Sequence, residues 1–228
     1  MFHQKDGKFT SRRRNDEGAE DWMITYGDMV TLLLAFFVLL ASISKVDLVL
    51  FEQVQAGLAE GLGAEARERP IETLKKELAD TIETMQVEDV VGLGEDSRGI
   101  TIEFASTAFF APGSAELNPA ALPILTRVAA TLMGERYVGF QIEVQGHTDD
   151  TPISTEKYPS NWELSSARAS SVVRFFADQG IYTPRMSAIG LADVAPKVPN
   201  RDPFGEPLPN NQEINRRVVV RVSPALTY

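Results

Sequence analysis

Residues 24–44 read ITYGDMVTLLLAFFVLLASIS, and Asp28 is the single charge in the run. These 21 residues, at about 1.5 Å of rise each, cover about 30 Å, the hydrocarbon thickness of a bilayer. The stretch reads as an uncleaved transmembrane helix. A signal peptide has a shorter apolar core followed by a small-residue cleavage site. Here the run is long, no such site with a break follows it, and Asp28 sits inside it. Lys5, Lys8, Arg12, Arg13 and Arg14 precede the run, whereas Lys45 follows it and the next basic residue is Arg67. Basic residues stay on the cytoplasmic side, so the N-terminus is expected there and residues 46–228 across the membrane. Trp22 and Tyr26 suit the cytoplasmic interface.

A carboxylate about one turn into a membrane helix costs a few kcal/mol or more. It either stays wet near the interface or faces a protein partner or water path. At 100° per residue, Asp28, Thr31, Ala35 and Ser42 fall within an arc of about 60°, with Leu32 and Leu39 at its border. A narrow stripe of small and polar residues is how membrane helices meet one another. Asp28 and Thr31 are therefore candidate ion-binding residues. One helix cannot wall an ion path by itself, so a multi-helix membrane partner is implied.

The rest of the composition excludes more than it identifies. A net charge of -10 over 228 residues and a pI near 4.8 argue against a nucleic-acid partner, because phosphate binding needs a basic face. The absence of cysteine removes a disulfide scaffold, a thiolate metal site, a thiol nucleophile and a lipoprotein acylation site. No nucleophile–base constellation stands out, so no enzyme is expected. The cluster His147-Thr148-Asp149-Asp150 could suggest a metal. The other histidine, His3, is expected across the membrane, and neither a metal nor a cofactor is expected.

Beyond the membrane run, residues 46–62 (VDLVLFEQVQAGLAEGL) are loosely amphipathic, with Gly57, Gly61 and Gly63 weakening the helix toward its end. A second helix is expected from Pro70, carrying Ile71, Leu74, Leu78, Ile82 and Met85 at helical spacing. It either pairs with its copy in a dimer or packs on the domain. Strands are expected at Val87–Leu93 and Gly99–Phe104, joined by the turn GEDSRG, then at Phe140–Gly146, Met186–Gly190 and Arg217–Val222. Helices are expected at Ala120–Met133, capped by Asn118, and at Leu164–Gln179, stopped by Gly180. Residues 197–213 read as a loop. The order of elements implies an α/β sandwich with helices over one face of a sheet.

Three segments of this region, FFAPGSAELNPAA (109–121), GHTDDTPISTEKYPSNWELSSARASSVVRFF (146–176) and NRRVVVRV (215–222), resemble the OmpA-like peptidoglycan-binding family. Trp162 after Asn161 looks like its MotB branch. Independently, DWMITYGDMVTLLLAFFVLL (21–40) resembles the membrane segment of MotB/PomB flagellar stator B subunits. The resemblance implies a bacterial inner-membrane protein with a single transmembrane helix and a periplasmic OmpA-like domain of α+β sandwich type. It divides the chain into a cytoplasmic segment (1–23), the membrane helix (24–44), a plug and linker holding a helix and the first strand (45–96), and the peptidoglycan-binding domain (97–228).

It also implies roles. Asp28 becomes the carboxylate that accepts transported protons or sodium ions. Asp149 and Arg168 become the pair that grips the zwitterionic diaminopimelate of the wall stem peptide, with Thr148, Asn161 and Leu164 lining the same pocket. The chemistry is sound in its own terms, since a carboxylate holds an ammonium and a guanidinium holds a carboxylate in bidentate fashion. The alternative is an internal Asp149–Arg168 salt bridge. Arg216 and Arg217 read mostly as structural, with Arg217 the weaker candidate for ligand contact. By the same resemblance residues 46–62 are a channel plug, and the partners are a MotA/PomA-like multi-pass subunit, a second copy of the chain, and peptidoglycan. The rival functions are a passive wall tether and a non-flagellar ion-driven envelope motor.

Overall fold

The computed structural model describes residues 17–43, 54 and 70–225. The expected basic flank at 5–14 and, Val54 apart, the amphipathic segment 46–62 lie outside the described residues. The chain divides into two compact units, Met1–Val46 and Asp47–Tyr228.

The first unit contains α1 (Glu17–Ile43). Its portion Trp22–Ile43 is long and apolar enough to cross a membrane. Side chains from Trp22 to Ile43 are all exposed, a largely apolar surface of the kind a membrane helix presents. Thr25 and Thr31 donate their hydroxyls to the carbonyls of Trp22 and Asp28 at 2.9 and 2.8 Å. Such back-bonding gives a hydroxyl an internal partner where water is scarce.

The second unit begins with α2 (Pro70–Met85), which buries Ile71, Leu74, Leu78 and Ile82 along one stripe. Of the two expected uses for this helix, the structure has the second: α2 packs on the domain. It meets β1 (Val91–Asp96), β2 (Gly99–Ala105) and α4 (Leu122–Leu132). Lys75 pairs with Glu95 at 2.6 Å, and Tyr137 donates to Glu77 at 3.0 Å. Among the described residues the folded domain thus already includes α2 and β1, ahead of the expected boundary at 97.

A short helix α3 (Ser106–Phe109) leaves β2. It is followed by α4, β3 (Phe140–Gly146), α5 (Asn161–Asp178), β4 (Met186–Gly190), α6 (Pro209–Asn215) and β5 (Arg217–Pro224). The sheet order is β1-β2-β5-β3-β4. All neighbours are antiparallel except β3 and β4, which α5 joins as a parallel pair. The last strand thus sits in the middle, and this explains its sequence. Val218, Val220 and Val222 face a core shared with Ile100, Ile102, Phe104, Ile142 and Val144. On the opposite face Arg221 bridges Asp96 and Glu143. Alternation with period two gives the sheet one apolar face for the helices and one polar face.

Several boundaries move from their expected places for local reasons. Gln86 takes a positive φ of 54° and ends α2, so residues 87–90 form a corner and β1 starts at Val91. Gly94, Glu95 and Asp96, expected in a turn, belong to β1. Only Ser97 and Arg98 turn, with Asp96 Oδ1 accepting from the amides of Arg98 and Gly99. Asn118 does not cap a helix; its amide donates to the Ala108 carbonyl at 3.2 Å, and a single 3-10 turn at Pro119–Ala121 precedes α4. The loop expected at 197–213 contains the start of α6.

Candidate functional site

The pocket is built where β3 ends and α5 begins. Gly146 and Gly190 close the facing ends of β3 and β4. A Cβ on Gly146 would overlap the Ser165 carbonyl oxygen, and one on Gly190 the Ser166 hydroxyl. Only glycine lets the first turns of α5 lie this close to the sheet. Ser160 caps α5, accepting from the Trp162 amide at 3.2 Å and donating its hydroxyl to Glu163. This Ser-x-x-Glu capping box starts the helix at Asn161, three residues before the expected start.

The chain leaving β3 is fixed by backbone bonds. The His147 amide donates to the Arg217 carbonyl at 2.9 Å, and the Thr148 amide to the Ala192 carbonyl at 2.8 Å. Asn161 then ties the next residues to the helix, donating to the Asp149 carbonyl at 3.3 Å and the Thr151 carbonyl at 2.9 Å. The result is a cavity of about 440 Å³. Thr148, Asp149, Asn161, Leu164 and Arg168, the expected set, all line it.

The alternative internal Asp149–Arg168 salt bridge does not form. Asp149 Oδ2 accepts from Arg216 Nη1 at 2.5 Å, and its Oδ1 accepts from the Thr151 amide at 3.0 Å. Arg168 takes no part in a salt bridge with Asp149. Its Nε donates to the Ser114 carbonyl at 2.8 Å, and its guanidinium lies 5.3 Å from the centre of the Phe110 ring. Arg168 is only 4% exposed. Burial first, and then the nearby charge of Arg216, lower its pKa to about 10, so the group stays charged at neutral pH.

Arg216, expected as structural, is thus part of the pocket, together with Ser106 and Phe110. The sequence signal is the Asn-Arg-Arg triplet, in which Arg217 is the weaker candidate for ligand contact, and the structure keeps that order. Arg217 has the structural role, donating to the carbonyls of Asn215 and Ala195 at 3.4 and 3.3 Å. His147 is buried and does not line the cavity. Burial and the charge of Arg217 lower its pKa to about 4; the neighbouring Ala195 backbone favours the protonated form too weakly to offset them.

Two hydroxyls at the cavity, Ser106 Oγ and Thr148 Oγ1, are buried without a hydrogen-bond partner. Orphaned polar atoms are rare in a folded core. Beside a buried guanidinium they make a donor-rich wall. Chemically the pocket presents a carboxylate already held in place, and a cation with no carboxylate against it among the described residues.

The other candidates, Asp28 and Thr31, stand one turn apart on α1 in the first unit. The Thr31 hydroxyl donates to the carbonyl of Asp28 rather than to its side chain.

Comparison with known proteins agrees with this architecture. Residues 9–62 match a family model described as membrane MotB of the proton-channel complex MotA/MotB, and residues 109–207 match the OmpA family. YtxE of Bacillus subtilis (strain 168), an uncharacterized protein, is 30% identical over 233 residues, covering 94% of this chain and 93% of its own. Among solved structures, a putative MotB-like protein from Desulfovibrio vulgaris is 30% identical with a TM-score of 0.59, covering 68% of this chain and 96% of its own. The cell wall anchor of the T6SS from Pseudomonas aeruginosa is 32% identical with a TM-score of 0.56, covering 69% of this chain and 100% of its own. With an apolar helix ahead of a mixed α/β domain of this topology, the chain belongs to the MotB-like family of OmpA-domain proteins.

Proposed function

We propose that the chain is the B subunit of a flagellar-type stator, in which a peptidoglycan anchor holds an ion-conducting membrane helix against recoil. The observation that carries this reading is the presence in one chain of two devices that serve little purpose apart. One is the lone membrane carboxylate Asp28 on a small, polar stripe of α1. The other is the pocket in which Asp149 would take an ammonium and Arg168 a carboxylate, the two ends of the diaminopimelate headgroup. Thr148, Asn161 and Leu164 would complete the pocket wall.

In this reading α1 sits in the inner membrane with its N-terminus in the cytoplasm, and the OmpA-like domain lies in the periplasm. A multi-pass MotA-like partner and a second copy of the chain supply the remaining walls of the path. Asp28 accepts and releases protons or sodium ions, with Thr31 beside it. One charge crossing 100 mV releases about 2.3 kcal/mol, which a wall-fixed subunit can convert to work on a rotor. No bond of a substrate is made or broken, and the role is not enzymatic.

The likeness to a cell wall anchor supports a second reading, a passive tether. A tether needs the pocket but has no use for Asp28. Replacing Asp28 by Asn in cells separates the two. A stator subunit loses ion-driven motility while still reaching the membrane and the wall, and a tether loses nothing.

A further inference from the structure

Taking peptidoglycan as the ligand, as proposed above, we infer that the pocket selects a free carboxylate over its carboxamide, and that Arg216 and Ser106 share this selection with Arg168. The charges on the cavity wall are those of Asp149, Arg168 and Arg216. They leave one positive charge uncompensated. Asp149 already has an occupant on each oxygen, the Arg216 guanidinium and the Thr151 amide. Arg168 spends Nε on a neutral carbonyl, which leaves its terminal nitrogens for a ligand.

Arg216 is positioned to act on both ends of the ligand. One of its nitrogens fixes Asp149, and its side chain remains 34% exposed along the cavity wall. The two arginines lie close enough for Arg216 to depress the ionisation of Arg168. An anion between them relieves that repulsion as well as supplying a partner. Ser106 stands in the same corner, its amide donating to the Arg216 carbonyl at 2.9 Å. Its hydroxyl, like that of Thr148, has no internal partner.

A carboxylate suits this wall because it brings one negative charge and lone pairs for several donors. A carboxamide is neutral and turns its own N–H groups toward guanidinium N–H groups, so a buried cation stays unpaired. Walls whose stem peptides are amidated at this carboxylate would therefore hold the protein far less well than unamidated ones.

The test uses the full chain in detergent micelles and two stem peptides, each ending in meso-diaminopimelate and differing only in the free carboxylate or its amide. Calorimetry on the wild type is expected to give at least a tenfold preference for the acid. Ser106→Ala should weaken the acid several-fold and narrow its preference over the amide, and Arg216→Gln should bring the two peptides closer together. Equal affinity of the wild type for acid and amide would overturn the inference while leaving wall binding intact. Binding of neither peptide would overturn the wall-binding reading and this inference together. A Ser106→Ala protein that binds both peptides as the wild type does would remove Ser106 from the selection.

Discussion

The Asp149 carboxylate is held by Arg216, whose Nη1 lies 2.5 Å from Oδ2, while Arg168 in the same cavity forms no salt bridge among the described residues. These two arginines should then respond to mutation with opposite signs. Arg216→Ala strands a carboxylate only 6% exposed and should cost about 1–3 kcal/mol, the penalty for an unpaired buried group discounted for the partial exposure of Arg216. Arg168→Met keeps the packing over Phe110 and removes an unpaired buried cation, so stability should hold or rise while wall binding is lost. Urea titration of both variants beside sacculus pull-down decides this. A large loss of stability in Arg168→Met would make that residue a structural ion partner.

The minimal folding unit should begin near residue 70. Burying Ile71, Leu74, Leu78 and Ile82 contributes on the order of 6–12 kcal/mol, at about 1.5–3 kcal/mol each, comparable to the whole stability of a typical domain. A fragment 97–228 loses this helix together with the edge strand β1, exposing Ile102 and Phe104. It should show no cooperative melt, whereas a fragment 68–228 should. Equal melting of the two would show that α2 is an ornament on the domain.

Gly146→Ala should abolish wall binding through the backbone. The added methyl overlaps the Ser165 carbonyl, so α5 must lift from β3, carrying Asn161 and Arg168 away from Asp149. The expected cost is about 1–3 kcal/mol, typical of overpacking. Thermal melting with ligand titration would check it, and unchanged binding would mean the helix can shift without disturbing the pocket.

The sheet was legible because its strands alternate. Phe140–Gly146 is read from sequence with the observed limits, since apolar residues at every second position admit one facing; Met186–Gly190 also keeps its expected limits, though its burial does not alternate. The corner at 87–90 was not, because Val87 and Val90 look like strand residues and only a positive φ at Gln86 turns them aside. The five expected pocket residues come together because the turn after β3 and the first turns of α5 carry nearly all of them. Arg216, between α6 and β5, and Ser106, at the start of α3, are far apart in sequence and are joined by a sheet order no local pattern encodes. Asp149 and Arg168 were legible as an acid and a base. Which base holds the acid depends on that same long-range pairing.

Acid should destabilise the domain in two separate windows. His147 has a folded pKa of about 4 against 6.5 when unfolded, so the unfolded chain binds the extra proton between these values. Its contribution is full above pH 6.5 and is lost as pH falls toward 4, by about 3 kcal/mol at most at 1.36 kcal/mol per unit. Asp150 is raised by desolvation, but hydrogen bonds from Gln212 and Arg201 and the charge of Arg201 hold it below 3.8 overall. Its loss comes only below that value. Urea midpoints from pH 7.5 to 4 should fall in the wild type and flatten in His147→Met. Parallel curves would assign the acid response to other groups.

The segment 46–62, expected from sequence to be a plug, is amphipathic and directly follows a helix whose carboxylate, in the proposed reading, must not conduct before the wall is reached. If it is a plug, deleting it in cells that also make the multi-pass partner should admit ions and slow growth. The leak should vanish when Asp28→Asn is added, because both changes act on one route. That second step separates a plug from the general toxicity of a damaged membrane protein, which would be indifferent to Asp28. Cytoplasmic pH and sodium should be followed together at matched expression, so that the ion carried is identified in the same experiment. A deletion that admits neither ion, or one whose leak survives Asp28→Asn, would leave the segment as a connector between helix and domain.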